Sequence, residues 1–448
     1  MTGTRVRAMS VDRRRRSSIQ AGRGAVVLCA AILGAMLPAV PPAFAQPPAA
    51  DFYVAPPTPS SVEPGHLIKS EPMQVGVAIG SAVGTAPLDA RRIMYWSTTP
   101  GGDPIATSGV FFGSHQPWTG GGDRPVVALA PGTVGQGTQC APSNFIANVA
   151  DPSAPGLVVA QYELRLAYEL NQRGINAVMT DYQGLGVQTG TVHPYVNRSA
   201  QGHAVLDSVR AAQQLPDTGS SPRSAIGAWG YSQGGGAAAA AAEMAAEYAP
   251  ELTFEATYAG SVPADLADTL GRIDGSVLSG AVGYALNGFR AVYPELGPLI
   301  DEYTNDAGKA WLSTVSSQCT LQTAAQFGLH RTSEYTTTGE PLLAILERLP
   351  EAERVLGDNR LGSVAPSGTV WLDSATSDDI VPFAQAAELN DSWCAAGGRV
   401  RFAPQQLPEV LPGLGVGHLL PQNFQIPQVQ NWLVDQLAGA KEPGTCRR

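Results

Sequence analysis

Residues 228–247 read AWGYSQGGGAAAAAAEMAAE. One serine, Ser232, stands between Gly230-Tyr231 and Gln233-Gly234, and Gly235 and Gly236 follow before the alanines begin. The residues leading in, SAIGAWG at 224–230, are apolar and strand-like, and Ala237–Tyr248 favour a helix. A strand that turns into a helix this abruptly brings two backbones close together, and glycines lack the Cβ that would clash. The serine is then held in a strained conformation, its hydroxyl lifted above the C-terminal edge of the sheet. A helix beginning near Gly235 aims its free N–H groups and positive dipole end at the same point, which favours a developing oxyanion. The bland alternative is a Gly-rich turn carrying a passive serine.

Working outward, strand-like and helix-like stretches alternate. Arg91–Ser97, Thr107–Phe112 and Pro125–Ala130 read as strands. Tyr162–Gln172 reads as a helix ended by Gly174, and INAVMTDY at 175–182 as the next strand. A helix over 199–214 precedes the serine turn; strands at 254–260, 368–375 and 399–404 and helices at 383–394 and 426–438 follow it. This rhythm predicts a mainly parallel sheet with helices on both faces, an α/β architecture. Residues 262–366 break it with a long apolar, Gly-rich interval that contains no clear strand. An insertion of that length between core strands predicts a mostly helical cap, leaving 71–261 and 367–448 as the core. Residues 46–70, rich in Pro and Ser, read as an extended arm.

The first 45 residues read as an export signal. Arg13–Arg16 form a basic start, Ala25–Leu37 an apolar run, and Ala43-Phe44-Ala45 a cleavage site after Ala45. The apolar run is too short to span a membrane comfortably. Removing residues 1–45 takes seven Arg and one Asp from the 28 basic and 38 acidic residues, leaving 21 against 37, a net charge of −16. A secreted chain so acidic argues against nucleic acid and anionic membranes as partners, and against stable membrane insertion. Cys29 leaves with the signal; Cys140, Cys319, Cys394 and Cys446 remain. An even number in an exported chain predicts two disulfides, with three pairings open, and no spacing suits a zinc or redox motif.

A serine hydroxyl needs a base to become a nucleophile. An apolar strand, G-x-S-x-G and an Ala-rich helix in succession are the nucleophile elbow of an α/β-hydrolase fold, in which the chain order is Ser, acid, His. Only His330 and His418 lie downstream of Ser232. His330 falls within the cap, whereas His418 follows the last strand in a Gly-rich loop, where the base belongs. His66, His115, His193 and His203 lie upstream and read as structural or solvent-exposed. For the acid, Asp373, Asp378 and Asp379 compete: Asp373 sits at the strand end, Asp378 opens DDIVP, and Asp379 suits a surface charge near a helix. The D-x-x-V-P arrangement resembles the acid loop of many α/β-hydrolases, and that resemblance favours Asp378. The backbone N–H of Gln233 is one oxyanion donor.

The chain resembles the secretory lipase family, the lipase A type of α/β-hydrolase. The likeness rests on FYVAPP (52–57), GTVGQGTQCAPS (132–143), GYSQGG (230–235), SDDIVPF (377–383) and GHLLPQNFQIPQVQNWL (417–433). It implies hydrolysis of carboxylic esters, triacylglycerols among them, by Ser232, Asp378 and His418, with a cap that carries an acyl-binding tunnel. It implies no metal and no organic cofactor. It also implies the pairings Cys140–Cys319 and Cys394–Cys446, and a second oxyanion donor at the backbone N–H of Val134, with Thr133 one register step away. Some relatives carry an acidic residue where Val134 stands, so no side-chain role follows there. The chain ends two residues after Cys446, where some yeast members continue into a flap, so activation through such a flap is not expected. The same triad would serve an acyltransferase, with an alcohol replacing water. A non-catalytic surface protein on a hydrolase scaffold is the third reading, and an intact Ser, Asp, His order argues against it. The expected partner is a lipid or ester substrate, met at a lipid–water interface.

Overall fold

The computed structural model describes residues 51–79, 82–147 and 161–446; the expected export signal and its cleavage site lie outside the described residues. Nine strands form one sheet: β1 (Leu67–Met73), β2 (Asp89–Thr98), β3 (Pro104–Gly113), β4 (Val126–Ala130), β5 (Asn176–Thr180), β6 (Ala225–Tyr231), β7 (Thr253–Gly260), β8 (Thr369–Ala375) and β9 (Arg399–Gln405). They lie in the order β1-β2-β3-β5-β4-β6-β7-β8-β9. β1, β2 and β3 pair antiparallel, as does β3 with β5. Every pairing from β5 to β9 is parallel. A separate hairpin joins Gly76–Ile79 to Ala82–Thr85.

The parallel strands β4 and β5 are buried throughout, as strands covered on both faces must be. Alternation sends Val126 and Ala128 to one face, against Ala204, Val205 and Val209 of the helix Arg198–Gln213 and against the alanines of Gln233–Tyr248. Val127 and Leu129 face the other way, against Leu166 and Leu170 of the helix Gln161–Asn171 and Val429 and Leu433 of the last helix, Val416–Leu437. The alanine run now has a packing reason, because Ala237–Ala242 are all fully buried and small side chains let this helix lie close on the sheet. Between β7 and β8 the chain folds into seven α-helices from Leu266 to Asn359. Tyr284, Phe289, Trp311, Leu342 and Val355 form their apolar centre, which Ile380 and Val381 of the loop after β8 also join.

Three elements depart from the sequence expectation. Residues 67–70, assigned to an extended arm, belong to the edge strand β1, whose LIKSEPM is neither evenly alternating nor apolar. The helix after the serine begins at Gln233 rather than Gly235. The last helix begins at Val416, ten residues before the expected start, despite Pro421 and Pro427 within it. Tertiary contact supplies what local propensity withholds: the Asp379 carboxylate accepts the N–H groups of Gly415 (2.8 Å) and His418 (3.0 Å), capping this helix from another loop. Disulfides join Cys140 to Cys319 and Cys394 to Cys446. The first ties the loop after β4 to the helical insertion, where Gly135 and Cys319 also form a β-bridge.

Candidate active site

Ser232 follows β6 and caps the helix Gln233–Tyr248 with φ 59° and ψ −124°, a conformation that costs a non-glycine residue about 1–3 kcal/mol. The surroundings fix it there: its N–H bonds to Gly260 O and its carbonyl accepts from Gly236 N–H, both at 3.0 Å. The elbow glycines are demanded by space. A Cβ on Gly230 would lie 1.9 Å from Gly234 O, one on Gly234 2.0 Å from Ala130 O, and one on Gly235 2.2 Å from Gly260 O.

His418 sits in the first turn of the last helix, 1 % exposed. Its Nε2 is 2.9 Å from Ser232 Oγ, and its Nδ1 is 3.0 and 3.1 Å from the two carboxylate oxygens of Asp378. A carboxylate only accepts, so Nδ1 carries the proton and Nε2 is free to receive one from the serine. Three groups fix this turn. Asp379 holds its N–H groups, Tyr231 donates its hydroxyl to His418 O at 2.6 Å, and Gly417 lets Ser377 O approach to 2.0 Å of where a Cβ would stand.

Asp378 Oδ1 also accepts the N–H groups of Ile380 (3.0 Å) and Val381 (2.8 Å). Burial alone would raise this carboxyl. The charge and hydrogen bond of His418, the Ser261 hydroxyl and the Val381 N–H outweigh burial and hold it below the usual carboxylate range. The two rival aspartates are placed differently. Asp373 accepts from Tyr258 (2.9 Å) and Gln405 (2.8 and 3.0 Å), and burial pushes it up to about 7. Asp379 serves the helix start, not the imidazole ring. The structure thus brings together Ser232, His418 and Asp378. His330 stays in the insertion with Glu334 and Tyr335, His66 and His115 are exposed, and His203 stacks on Tyr248.

One contributor, Ser261, escapes the sequence reading; another, His193, stands there only among the structural or solvent-exposed histidines. Ser261 follows β7 with φ 45°; its hydroxyl donates to Asp378 Oδ2 and lies 3.1 Å from His418 Nδ1. His193 is buried beneath the elbow. Its Nδ1 donates to Gln183 O (2.9 Å), so its Nε2 accepts from the Gln233 side chain at 3.1 Å. Burial, partly offset by the Gln183 bond, pushes His193 down to about 4 and keeps it neutral. Neither residue stands in a recognisable motif; each acts through a fold contact.

The N–H of Gln233, first in its helix, bonds to no acceptor among the described residues, and nor do those of Thr133 and Val134. Thr133 lines the cavity at Ser232, whereas the Val134 side chain packs with Cys140, Phe145, Leu185 and Cys319. The carbonyls of this pair receive the hydroxyl and N–H of Thr320, so the insertion holds the loop. The cavity measures about 160 Å³ and runs from Ser232 and Gln233 into the insertion, among Leu270, Phe289, Leu342 and Val355. Among the described residues no group of three or more His, Cys, Asp or Glu is gathered as a metal would require, and no helix is long and apolar enough to cross a membrane.

Residues 152–444 match the sequence profile of a family described as secretory lipase. Among curated relatives, a protein named probable inactive lipase from Mycobacterium tuberculosis is 28 % identical over 388 residues, covering 87 % of this chain and 82 % of that one. A secreted triacylglycerol lipase from Malassezia globosa is 25 % identical over 317 residues, 69 % of this chain and 62 % of its own. The closed state of Candida antarctica lipase A superposes with a TM-score of 0.74 at 20 % identity, covering 90 % of this chain and 89 % of that structure. The rice cell wall degrading esterase LipA from Xanthomonas oryzae gives 0.65 at 20 %, covering 84 % and 99 %. The likeness to the solved structures shows the α/β-hydrolase fold, and the family profile rests on sequence.

Proposed function

The chain belongs to the secretory lipase family, and we propose that within it this protein is an active serine ester hydrolase that cleaves lipophilic esters, triacylglycerols included, through an acyl-enzyme on Ser232. The observation that carries the reading is the continuous path Ser232 Oγ, His418 Nε2, His418 Nδ1, Asp378, with 2.9 and 3.0 Å steps. Ser232 attacks the ester carbonyl while Nε2 takes its proton. The proton passes to the leaving alcohol, and water then repeats the sequence to release the acid. Asp378 keeps the ring oriented and stabilises its charged form. The Gln233 N–H and one from the pair Thr133–Val134 hold the oxyanion; the place of Thr133 on the cavity wall favours it over Val134. An apolar cavity leading from Ser232 suits an acyl chain. Export with loss of residues 1–45 accords with the two disulfides and with relatives named as secreted.

The test is a rate profile of the protein lacking residues 1–45 over esters from acetate to long-chain acyl, with an emulsified triacylglycerol, beside the Ser232→Ala variant. Hydrolysis rising with acyl length and falling by about a thousandfold or more in the variant supports the reading. Hydrolysis that survives in a folded Ser232→Ala protein overturns it. Products that carry an added alcohol in preference to water would make the enzyme an acyltransferase.

A further inference from the structure

His193 has no part in the path from Ser232 through His418 to Asp378, yet it lies buried beside the residue that follows the nucleophile. Packing alone would be served by a phenylalanine; a buried imidazole must find partners for both of its nitrogens. The Nδ1 proton is taken by Gln183 O, so Nε2 is left as an acceptor, and what it accepts is the Gln233 carboxamide N–H at 3.1 Å. For Gln233 this is the whole of its side-chain anchoring, because among the described residues its Oε1 has no hydrogen-bond partner. The backbone N–H of that same Gln233 is the free donor at the elbow.

The ring also reaches the loop that offers the second donor. One face stacks on Tyr182, with centroids 5.7 Å apart, and Tyr182 donates its hydroxyl to Pro131 O at 2.9 Å. An edge meets Tyr195, whose hydroxyl pairs with Thr133 Oγ1 at 2.8 Å. Pro131 and Thr133 flank Gly132, so both tyrosines grip the loop after β4 just where the pair Thr133–Val134 begins. The backbone of His193 is clamped in turn. Its carbonyl accepts from Gln136 at 3.1 Å, and Gln136 also donates to Tyr284 O and accepts from Asn287, both on the insertion helix Val282–Val292. A Cβ on Gly184 would stand 2.6 Å from His193 N, and one on Gly288 of that helix 3.1 Å from His193 O. The imidazole is therefore held from two sides, and it holds groups on two others.

We propose that His193 is a positioning residue for the hydrolysis: it orients Gln233 and, with Tyr182 and Tyr195, sets the spacing between the two oxyanion donors. The proposal rests on the ester-hydrolase reading of Ser232. Thr133, Tyr195, Ser232 and Gln233 line the cavity, and His193 stands one layer behind them, so it touches neither substrate nor reacting atoms. A donor that drifts from its place matters once negative charge has developed on the carbonyl oxygen. The loss from removing His193 therefore falls on kcat and on the binding of tetrahedral mimics, with KM little changed.

Three variants separate the ring from its acceptor. His193→Phe keeps the stacking and removes Nε2; His193→Gln keeps an acceptor within reach of Gln233; Gln233→Met keeps the backbone N–H and removes the side-chain donor. Each is compared with parent protein on dissolved p-nitrophenyl butyrate, and for inhibition by butylboronic acid, which forms a tetrahedral adduct on the serine. His193→Phe is expected to lower kcat by about tenfold or more with KM within about twofold, and to raise the boronate inhibition constant by a similar factor. His193→Gln is expected to recover most of that loss. Gln233→Met should show the same split, and the double variant His193→Phe/Gln233→Met should be no slower than the slower single variant, since both remove one bond. If His193→Phe does not fold, Gln233→Met decides alone. An active parent whose folded Phe and Met variants keep kcat within twofold overturns the proposal, as does a loss confined to KM with boronate binding unchanged, or a His193→Gln variant as slow as His193→Phe. A parent that hydrolyses no ester and binds no boronate removes the hydrolase reading, and this proposal falls with it.

Discussion

Ser261→Ala removes one hydroxyl and leaves the triad itself untouched. That hydroxyl donates to Asp378 Oδ2 and lies 3.1 Å from His418 Nδ1, in a buried site. A hydrogen bond to a charged group contributes about 1.5–3 kcal/mol, and 1.4 kcal/mol is about a factor of ten. Part of that is recovered, because the carboxylate keeps the Ile380 and Val381 N–H groups and the imidazole itself. The expected outcome is a fall in kcat/KM of about tenfold, carried by kcat with KM nearly unchanged. The pH profile gives the decisive sign. Ser261 is one of the groups that lower the Asp378 carboxyl, so its loss lets that carboxyl keep its proton to higher pH, where it no longer serves the imidazole. The acid limb of kcat/KM should therefore move up. The backbone is controlled for by Ser261→Gly, which takes φ 45° without strain and also lacks the hydroxyl. Equal upward shifts in both variants are expected, read from initial rates on a soluble p-nitrophenyl ester. An acid limb that stays in place while activity stays within twofold of parent would refute the reasoning.

Three further outcomes follow from the same geometry. Gly417→Ala places a methyl 2.0 Å from Ser377 O, a backbone atom that cannot swing aside, so it is expected to displace the His418 turn and cost about a hundredfold or more in kcat/KM; near-parent rates would contradict this. Burial pushes Glu163 up to about 8, so between about pH 4.5 and 8 the folded chain keeps a proton that the unfolded chain releases, and stability falls as pH rises through that window. Glu163→Gln retains an acceptor for Gly132 N–H and has nothing to titrate, so its melting point should exceed the parent's at pH 8 and match it near pH 4.5; an offset equal at both pH values would contradict it. Cys140→Ser/Cys319→Ser opens a cross-link spanning 179 residues and loosens the loop that holds Thr133, with an expected cost of about 3–5 kcal/mol in stability and a loss of activity. Cys394→Ser/Cys446→Ser, whose link spans 52 residues at the β9 end, should lose stability with less effect on turnover; the reverse ranking would contradict the assigned roles.

What the sequence made legible was whatever local chemistry imposes on spacing. The elbow could be read because three glycines are needed wherever a strand meets a helix at this distance, and the Ala run because the helix must lie flat on the sheet. The order of Ser232, Asp378 and His418 followed from the succession of strands. The start of the last helix was illegible, since Gly415, Gly417 and Pro421 read locally as loop and only the Asp379 carboxylate, from another loop, makes the helix begin there. Ser261 gave no signal either: its partners lie 117 and 157 residues away, and its left-handed backbone is set by a bond to Asp373 O. Glu163 sits in an amphipathic helix where a charge reads as surface, yet it is fully buried against Gly132. Such residues are defined by neighbours remote in sequence, which periodicity cannot report.

The central claim is that His418 makes Ser232 a nucleophile. It is tested most directly by trapping the acyl-enzyme: rapid acid quench of the protein with a p-nitrophenyl ester, followed by peptide mass spectrometry. The account predicts one acyl group per chain on the peptide containing Ser232, formed in a burst of p-nitrophenol and absent from His418→Ala. Steady hydrolysis with no acyl adduct on Ser232, or an adduct that forms equally fast without His418, would contradict it.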